Sequence, residues 1–383
     1  MFSNPFSPIF GGKPDVFFGR DRILNLFDLA MIDSGSDERA IFITGTRGSG
    51  KTALLEQLSI RAEKKKRKVI DLGPENTIEQ LLHELSGYDE VTNTVSPQAN
   101  VSVLGVGGSI GGSVSKTRHI GRELLQPILL ESCAKSKQGL LVTVDEIQKV
   151  AIEDISALCN AFQMASRKGY DIMLAVAGLP YAYKDITRHE GCTYLRRASH
   201  EEIGLFTWDE AADALNKVFS GIKGLSIDKS LQDKINQISY GHPYLLQLLG
   251  YHLILEINNQ NPEKKYVVKE NELIEAQKKA IFSYEQRALK PLFEELPESG
   301  KQYLITMSQC MGEDRLVLTS NIASTLGTST NKLSKTRAYL IDHGIIAAAE
   351  HGKVMFCIPY LADYVKKDRE VTSAVEVVIQ RRV

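Results

Sequence analysis

The sequence predicts an α/β fold: a parallel sheet flanked by helices, then an all-helical domain and a C-terminal winged helix-turn-helix. Three observations predict it. Short apolar runs alternate with segments of helical periodicity over the first 205 residues, the pattern of a parallel sheet covered on both faces. A glycine-rich turn joins the first apolar run to a helix. After residue 206 the apolar runs stop, and helical spacing continues to about residue 290.

The composition indicates a folded protein with more than one domain. The chain has 383 residues, 43% hydrophobic and 24% charged, and domains usually contain about 100–200 residues. Lys and Arg number 46 against 47 Asp and Glu, so the net charge of −1 excludes binding to DNA or membranes through bulk charge alone. Neither a secretory signal pattern nor a long uninterrupted apolar stretch is present. We therefore expect a cytoplasmic protein without a membrane partner.

The first domain is predicted to span residues 1–205. Its predicted strands are Ala40–Thr44, Val69–Leu72, Leu140–Val144 and Ile172–Ala177. Its predicted helices begin at Asp21, Lys51 and Thr77, and two more contain Leu124–Leu129 and Ile155–Phe162.

An insertion of about residues 89–118 interrupts this pattern. Val91–Ser115 contains no charged residue, and Ser96–Ser115 contains five Gly and five Ser. Such a segment can hardly build a core of its own, which favours a flexible loop. An irregular hairpin that reaches a partner is the alternative.

Two further domains are predicted after the sheet. Residues 206–290 show helical spacing throughout, and residues 291–383 have the element order of a winged helix-turn-helix. The predicted elements of that last domain are helices at Lys301–Gln309, Thr319–Leu326 and Ser329–His343 and strands at Ile345–Ala349 and Val354–Ile358.

The turn after the first strand carries a phosphate-binding motif. It matches G-x-x-x-x-G-K-[ST] at every fixed position, between a predicted strand and a predicted helix. Glycines let successive backbone N–H groups point at a phosphate, and the following helix adds its positive end. The residues predicted to cradle the nucleotide phosphates are Gly45, Thr46, Arg47, Gly48, Ser49, Gly50, Lys51 and Thr52.

Two carboxylates complement that motif at the end of the third strand. Asp145 and Glu146 follow Leu140–Val144, and the carboxyl ends of parallel strands face the ligand side of such a sheet. Asp145 is therefore expected to bind Mg²⁺ together with the Thr52 hydroxyl, and Glu146 to activate the attacking water. Lys51 would stabilise the β- and γ-phosphates. The sequence thus predicts an ATPase with ATP and Mg²⁺ as its ligands.

On these motifs the chain resembles the AAA+ ATPases, in the branch of the origin-recognition and replication-licensing ATPases, and it is also similar to STAND-type ATPases. The resemblance implies a P-loop (AAA+-like) sheet, a helical lid at 206–290, and a homo-oligomer or a protein partner. Phe18, Gly19 and Arg20 resemble the segment that borders the adenine in that family.

Two more pieces of the resemblance concern single residues. Arg196 and Arg197 resemble the stretch where an arginine finger reaches a neighbouring subunit's γ-phosphate, and an ordinary surface pair is the alternative. Pro243, in Gly241-His242-Pro243, is similar to a STAND proline that packs by the adenine. A plain helix-breaking turn would explain it equally well.

The chain departs from the family pattern at two positions. Leu174–Pro180 offers no polar side chain where many members sense the γ-phosphate, and the predicted lid helix at Tyr244–Gly250 lacks the arginine of a second sensor. We therefore expect nucleotide binding with slow hydrolysis.

The last predicted helix carries a polar face suited to DNA. Its polar residues recur at i, i+3, i+4 and i+7, and a lysine lies at the predicted wing tip. Residues 297–370 contain nine basic and eight acidic residues, which is a weak electrostatic footprint. A face that packs on another protein is the alternative. The candidate contacts to double-stranded DNA are Lys332, Lys335, Thr336, Tyr339 and Lys353.

A basic run in the first domain also allows two interpretations. Residues 61–68 contain six cations in eight positions. Cations suit the negative end of a helix, which favours a solvated helix terminus over a second DNA contact.

Two functions follow as hypotheses. The first is an ATP/ADP-dependent DNA-binding switch that acts through its winged helix in replication, mobile-element maintenance or defence. The second is a STAND-like signalling or assembly ATPase whose winged helix binds protein and whose output is ATP-dependent oligomerisation.

Overall fold

The computed structural model describes residues 1–9, 17, 19–86, 110–136 and 138–367, with side chains from residue 121 onward in the helix that begins at Ile110. The chain forms two compact units. The sheet unit consists of Arg20–Gly45 and Lys51–Ile203. The helical unit consists of Met1–Gly19, Thr46–Gly50 and Gly204–Val383.

The sheet unit contains a five-stranded parallel sheet in the order β2-β3-β4-β1-β5. All four predicted strands are present, and the predicted parallel α/β fold is confirmed. Each residue of the central strands β1, β3 and β4 is buried, because helices cover both faces. The strands are β1 (Ala40–Thr44), β2 (Lys68–Leu72), β3 (Leu140–Val144), β4 (Ile172–Gly178) and β5 (Ser199–Glu202).

Strand β5 was not predicted, because its sequence Ser-His-Glu-Glu has no apolar residue. It lies at the sheet edge beside β1, where only one of its residues is buried. That residue, Glu201, forms an ion pair with Arg22, which compensates the burial of its charge.

Seven helices accompany this sheet in the described residues. Residues Ile110–Arg118 of the predicted flexible insertion are helical, since α4 begins at Ile110, whereas residues 89–109 of the insertion lie outside the described residues. The helices are α1 (Asp21–Ala30), α2 (Lys51–Lys64), α3 (Thr77–Ser86), α4 (Ile110–Lys135), α5 (Ile152–Arg167), α6 (Pro180–Arg188) and α7 (Thr193–Arg196).

The helical unit begins with the segment that the sequence predicts as all-helical. It also contains a pair of two-residue parallel strands, β6 and β7, which helical periodicity alone did not predict. A π-helical turn at Glu285–Leu289 precedes Pro291, a residue without a backbone N–H. The elements are α8 (Trp208–Ser220), β6 (Leu225–Ser226), α9 (Lys229–Ser239), α10 (Pro243–Asn259), β7 (Tyr266–Val267), α11 (Glu270–Tyr284) and α12 (Lys290–Glu294).

The C-terminal elements follow in the same unit. Three short strands form an antiparallel sheet in the order β8-β10-β9. This element order agrees with the expected one, and the assignment as a winged helix stays a prediction. The elements are α13 (Glu298–Cys310), β8 (Val317–Leu318), α14 (Thr319–Thr325), α15 (Thr330–Asp342), β9 (Ile346–Ala348), β10 (Lys353–Phe356) and a helix at 361–367.

The predicted second and third domains share one hydrophobic core, which includes Leu249, Tyr284, Leu340 and Val354. The N-terminal segment also belongs to this unit, although the sequence assigns it to the first domain. Phe6 is buried in this hydrophobic core. Its ring lies so close to Gly250 that a Cβ on Gly250 would clash with it. Among the described residues, none of the helices is long and apolar enough to cross a membrane.

Candidate functional site

Polar side chains of the two predicted motifs meet near the ends of β1 and β3. Thr52, in the first turn of α2, donates a hydrogen bond through Oγ1 to Asp145 Oδ2 at 2.6 Å. Lys51 is only 6% exposed and donates through Nζ to the Gly45 carbonyl at 3.0 Å. The structure therefore bonds the motif lysine to the Gly45 carbonyl and joins the hydroxyl of the first motif to the carboxylate of the second.

Glu146 follows directly and has a left-handed backbone, with φ of 51°. Its backbone N–H donates to Asp145 Oδ1 at 2.8 Å, so the two acidic residues adopt one defined turn. Non-glycine residues in this conformation cost free energy and cluster at functional sites. The carboxylate oxygen Oε2 accepts a hydrogen bond from Gln148 Nε2 at 2.7 Å, and Lys149 Nζ lies 3.6 Å from the same oxygen.

Gln148 supplies a polar group that sequence reasoning missed. Strand β4 offers no polar side chain near its end, as the sequence indicates, but the Gln148 side-chain oxygen accepts the Leu179 backbone N–H at 3.2 Å. Gln148 therefore contacts both Glu146 and the end of β4. Its position two residues after Glu146 was the available signal, but the approach of β4 is a feature of the folded sheet.

The glycine turn itself, Thr46–Gly50, belongs to the helical unit. Gly48 and Gly50 have φ of 79° and 94°, values that favour glycine. A Cβ on Gly50 would meet nothing within 4 Å. Ser49 is 2% exposed, and its Oγ has no hydrogen-bond partner among the described residues. Buried hydroxyls are normally hydrogen-bonded.

His242 packs against this turn. It is buried, and a Cβ on Gly48 would lie 2.5 Å from its Cε1 atom. Burial lowers the pKa of His242 to about 4, and a hydrogen bond with the Arg47 backbone opposes that shift, so the imidazole is neutral near pH 7. Pro243 is the first residue of α10, and Arg47 forms an ion pair with Glu295 at 2.6 Å. Sequence reasoning compared Pro243 with an adenine-packing proline or a helix-breaking turn, which stays a prediction, and it missed His242.

The predicted adenine-bordering segment lies partly in the same neighbourhood. A Cβ on Gly19 would lie 2.7 Å from the Phe206 ring, and the Phe206 backbone N–H donates to the Gly241 carbonyl at 2.8 Å. The helical unit thus brings Gly19 and the Gly241 turn to the same phenylalanine. Arg20 has a left-handed backbone, with φ of 62°, and Phe18 lies outside the described residues.

The two candidate arginine fingers differ. Arg196 donates to the carbonyls of Thr187 and His189, at 2.7 and 3.2 Å, in and just after the last turn of α6. Arg197 is exposed at the end of α7. Arg196 therefore has a local structural partner, whereas Arg197 points to solvent.

The candidate DNA-contacting side chains differ in how exposed they are. Lys332 and Lys335 are exposed on α15, whereas Thr336 and Tyr339 are half-buried. Tyr339 packs against the core and stacks on His343, with ring centroids 3.8 Å apart. Lys353 forms an ion pair with Glu350 at 2.9 Å, which raises the pKa of the lysine.

Two basic side chains of the run 61–68 bond to other segments of the sheet unit. Arg67 is 8% exposed, donates to the Met31 carbonyl at 2.8 Å and pairs with Asp171 at 2.9 Å. Arg61 forms an ion pair with Asp28. These contacts favour the structural interpretation of the run over a DNA contact.

Each unit by itself holds residues that fit one of the two expected groups, a phosphate in the helical unit and a magnesium ion in the sheet unit. The unpartnered Ser49 hydroxyl and the open space at Gly50 lie in the turn where the motif places phosphate oxygens. Thr52 and Asp145 provide two oxygen ligands, and Mg²⁺ typically takes one or two protein ligands besides water and phosphate oxygens. No group of three or more His, Cys, Asp and Glu in the described part of the chain could hold a metal by itself.

Solved structures of known proteins are similar to this chain. The Aeropyrum pernix ORC2 protein, solved as ADPNP–ADP complexes, is 14% identical, has a TM-score of 0.50 and covers 99% of this chain and 98% of its own. Pyrobaculum aerophilum Cdc6p is 15% identical, with a TM-score of 0.47 and coverage of 91% and 93%. The Aeropyrum pernix ORC1 protein in complex with DNA is 15% identical, with a TM-score of 0.46 and coverage of 94% and 95%.

The sequence comparisons are narrower. A domain of unknown function (DUF8462) matches residues 286–365, within the C-terminal part of the helical unit. Curated protein sequences contain no match to the chain.

The sheet order, the glycine turn after β1 and the acidic pair after β3 together define a P-loop ATPase fold of the AAA+ class. The similarity in fold to the Aeropyrum pernix ORC2 structure extends over nearly the whole length of the chain.

Proposed function

We propose that the chain binds Mg²⁺–ATP and hydrolyses it slowly. The observation that carries this proposal is the hydrogen bond between Thr52 Oγ1 and Asp145 Oδ2, which joins the two motifs that must cooperate at a metal–phosphate site. Lys51, buried beside them, provides the fixed positive charge. The fold shared with a protein solved in complex with ADPNP and ADP supports the same assignment.

Each side chain has a distinct part in the proposed reaction. Thr52 and Asp145 would hold Mg²⁺, whose charge stabilises the phosphate oxygens. Lys51 stabilises the negative charge that develops during phosphoryl transfer. Glu146 orients the attacking water and accepts its proton. Because β4 provides no polar side chain of its own, turnover is expected to be slow.

Turnover measurements on Glu146→Gln test the hydrolysis proposal. The variant keeps the size of the side chain but removes the carboxylate, so ATP binding should persist while turnover falls by about 10²–10⁴-fold. Glu56→Gln, a substitution of the same kind in α2, serves as the matched control. Turnover of Glu146→Gln at the wild-type rate would show that Glu146 does not activate the water.

We further propose that nucleotide binding switches a DNA contact of the C-terminal region. Contacts within the helical unit support this proposal. Arg47 of the glycine turn pairs with Glu295 at 2.6 Å. Tyr240, two residues before His242, accepts a hydrogen bond from Arg315 at 3.0 Å and packs against Tyr360. The turn and the residues next to His242 therefore contact C-terminal segments of the unit that also contains α15, where Lys332 and Lys335 are exposed.

A duplex DNA titration tests the switch. Binding should depend on ATP, and Lys332→Ala combined with Lys335→Ala should weaken it, because each lysine removed gives up a phosphate contact. Lys278→Ala with Lys301→Ala removes two lysines from other helices and is the charge-matched control. Absent binding, or equal binding by both double variants, would remove the DNA proposal.

A protein-binding C-terminal region is the second candidate, and one observation favours it. Leu318 and Met355, on neighbouring strands of the small sheet, are 42% and 39% exposed, and Lys353 beside them is already paired with Glu350. Exposed apolar groups of this kind suit a protein contact. The output would then be ATP-dependent assembly, in which Arg197 rather than the locally bonded Arg196 would act on a neighbouring subunit. Sedimentation with and without ATP tests this candidate, and Arg197→Ala should lower turnover only in an assembled state.

A further inference from the structure

We propose that Gln148 is a positioning residue for ATP hydrolysis, which fixes the carboxylate of Glu146 against the end of β4. The inference rests on the proposed function, in which Glu146 activates water. It assigns to Gln148 the link that a polar side chain on β4 would otherwise provide.

The geometry of the Gln148 amide carries the proposal. Its nitrogen donates to Glu146 Oε2 at 2.7 Å, and its oxygen accepts the Leu179 backbone N–H at 3.2 Å. An amide is the side-chain group that provides a donor and an acceptor at once in a fixed plane. The hydrogen bond to the backbone orients the amide, and the amide in turn restricts the rotation of the Glu146 carboxylate.

The end of β4 is shaped to receive this side chain. Gly178 is the last residue of β4, and a Cβ there would lie 2.8 Å from Gln148 Oε1 and 2.8 Å from Ile147 Cγ2. Gly178 does not have a positive φ, so its backbone conformation does not require glycine. Close packing against Gln148 and Ile147 is therefore the physical reason for glycine at this position.

The link has a consequence for the reaction. Glu146 sits on a left-handed backbone with φ of 51°, and its carboxylate is about one-third exposed, so burial alone does not hold it. Lys149 is more exposed and lies farther from the same oxygen, 3.6 Å away. Gln148 is then the group that sets the carboxylate's direction, and misplacement of a catalytic group by about 1 Å can cost on the order of 10²-fold in rate.

Two substitutions distinguish a role of Gln148 in positioning Glu146 from a purely structural role in capping the Leu179 N–H. Gln148→Met removes both hydrogen bonds. Gln148→Glu keeps an oxygen that accepts the Leu179 N–H but loses the donor to Glu146 and places a second carboxylate beside it. Gln80→Met is the matched control, because Gln80 makes one hydrogen bond, to the Glu75 carbonyl in the region of α3.

The readouts are kcat, KM, the Kd for ATP and the unfolding temperature of the full chain. We expect both Gln148 variants to lower kcat by about 10- to 100-fold, with a Kd for ATP within about twofold of wild type, and Gln80→Met to match wild type. Gln148→Glu should unfold close to the wild-type temperature, which keeps the test valid even if Gln148→Met is unstable.

The outcomes distinguish this inference from the proposed function. Wild-type turnover by Gln148→Glu would overturn it and leave Gln148 a cap. If Glu146→Gln also turns over ATP normally, or the wild-type chain does not hydrolyse ATP, the proposed function itself fails and the positioning role fails with it. Loss of turnover in Glu146→Gln together with normal Gln148 variants would overturn the inference alone.

Discussion

The polar cluster at the ends of β1 and β3 and the outer face of α15 are both candidate functional surfaces, but they are built differently. In the cluster, Lys51 is buried and Thr52 is hydrogen-bonded to Asp145. On α15, Lys332 and Lys335 are exposed side chains on a helix surface. The first surface has defined distances between its groups, whereas the second offers charge without fixed geometry.

Whether a surface has fixed geometry decides which kind of function it can support. Fixed, partly desolvated groups can act on particular atoms, because they need no reorganisation during the reaction. Exposed lysines contribute a salt-dependent attraction that does not require one geometry. Substitutions in the two regions should therefore differ in the size of their effects.

The largest effect is expected for Thr52→Val in the fixed cluster. Valine has the shape of threonine but lacks the hydroxyl, so it removes the bond to Asp145 and a ligand for Mg²⁺. We expect kcat/KM for ATP to fall about 10²–10³-fold, or about 3–4 kcal/mol. Thr52→Ser keeps the hydroxyl and should retain most activity. Equal activity of Thr52→Val and Thr52→Ser in a magnesium titration would show that the Thr52 hydroxyl is not needed.

His242 extends the contrast to a buried group in the helical unit. Its folded pKa of about 4 lies below the ordinary value of 6.5, so the unfolded chain binds the proton first as the pH falls. Neutral His242 therefore costs no stability above about pH 6.5, and the free energy of unfolding falls as the pH drops towards 4, by roughly 3 kcal/mol in total. Urea unfolding at several pH values should show this loss in wild type, with a correspondingly smaller loss in His242→Gln. Parallel curves would contradict the assignment.

Gly178→Ala tests the packing behind Glu146 with a smaller effect. The added methyl would lie 2.8 Å from Gln148 Oε1 and from Ile147 Cγ2, and overpacking of this kind typically costs about 1–3 kcal/mol. Gly73→Ala is the control, because a Cβ at Gly73 meets nothing within 4 Å. Chemical denaturation of both variants measures the difference, and equal free energies of unfolding would refute the tight packing.

The smallest effect is expected on α15. If the lysines contact DNA, Lys332→Ala with Lys335→Ala should reduce the slope of log K against log salt by roughly 2 and weaken binding to all sequences alike. Fluorescence anisotropy with two unrelated duplexes at several salt concentrations measures both quantities. A loss confined to one duplex would mean that α15 reads bases from a fixed geometry, and the contrast would then need revision.

Much of the sheet could be predicted from sequence, because its signals are local. Apolar runs identified strands β1 to β4, and the spacing of the phosphate motif singled out Lys51 and Thr52. The acidic pair Asp145 and Glu146 followed from its place after a buried strand. Their mutual contact needed only the rule that parallel strands end at one edge.

The remaining features depend on contacts between distant segments. Strand β5 is polar, and only its pairing with β1 makes it a strand. Gln148 acquires its role through the approach of Leu179, and His242 through the approach of Gly48. Tyr339 lies on the predicted polar face of α15 yet packs partly into the core, because helical spacing alone does not say how wide the buried stripe is.

Calorimetric titration of ATP with Mg²⁺ into wild type and Lys51→Ala tests the central claim most directly. Lys51 is buried and bonded to the Gly45 carbonyl at 3.0 Å, from where it would stabilise the phosphates. We predict one ATP site per wild-type chain and a loss of affinity of at least about tenfold in Lys51→Ala. No heat of binding with wild type, or equal affinity of the two proteins, would contradict the account.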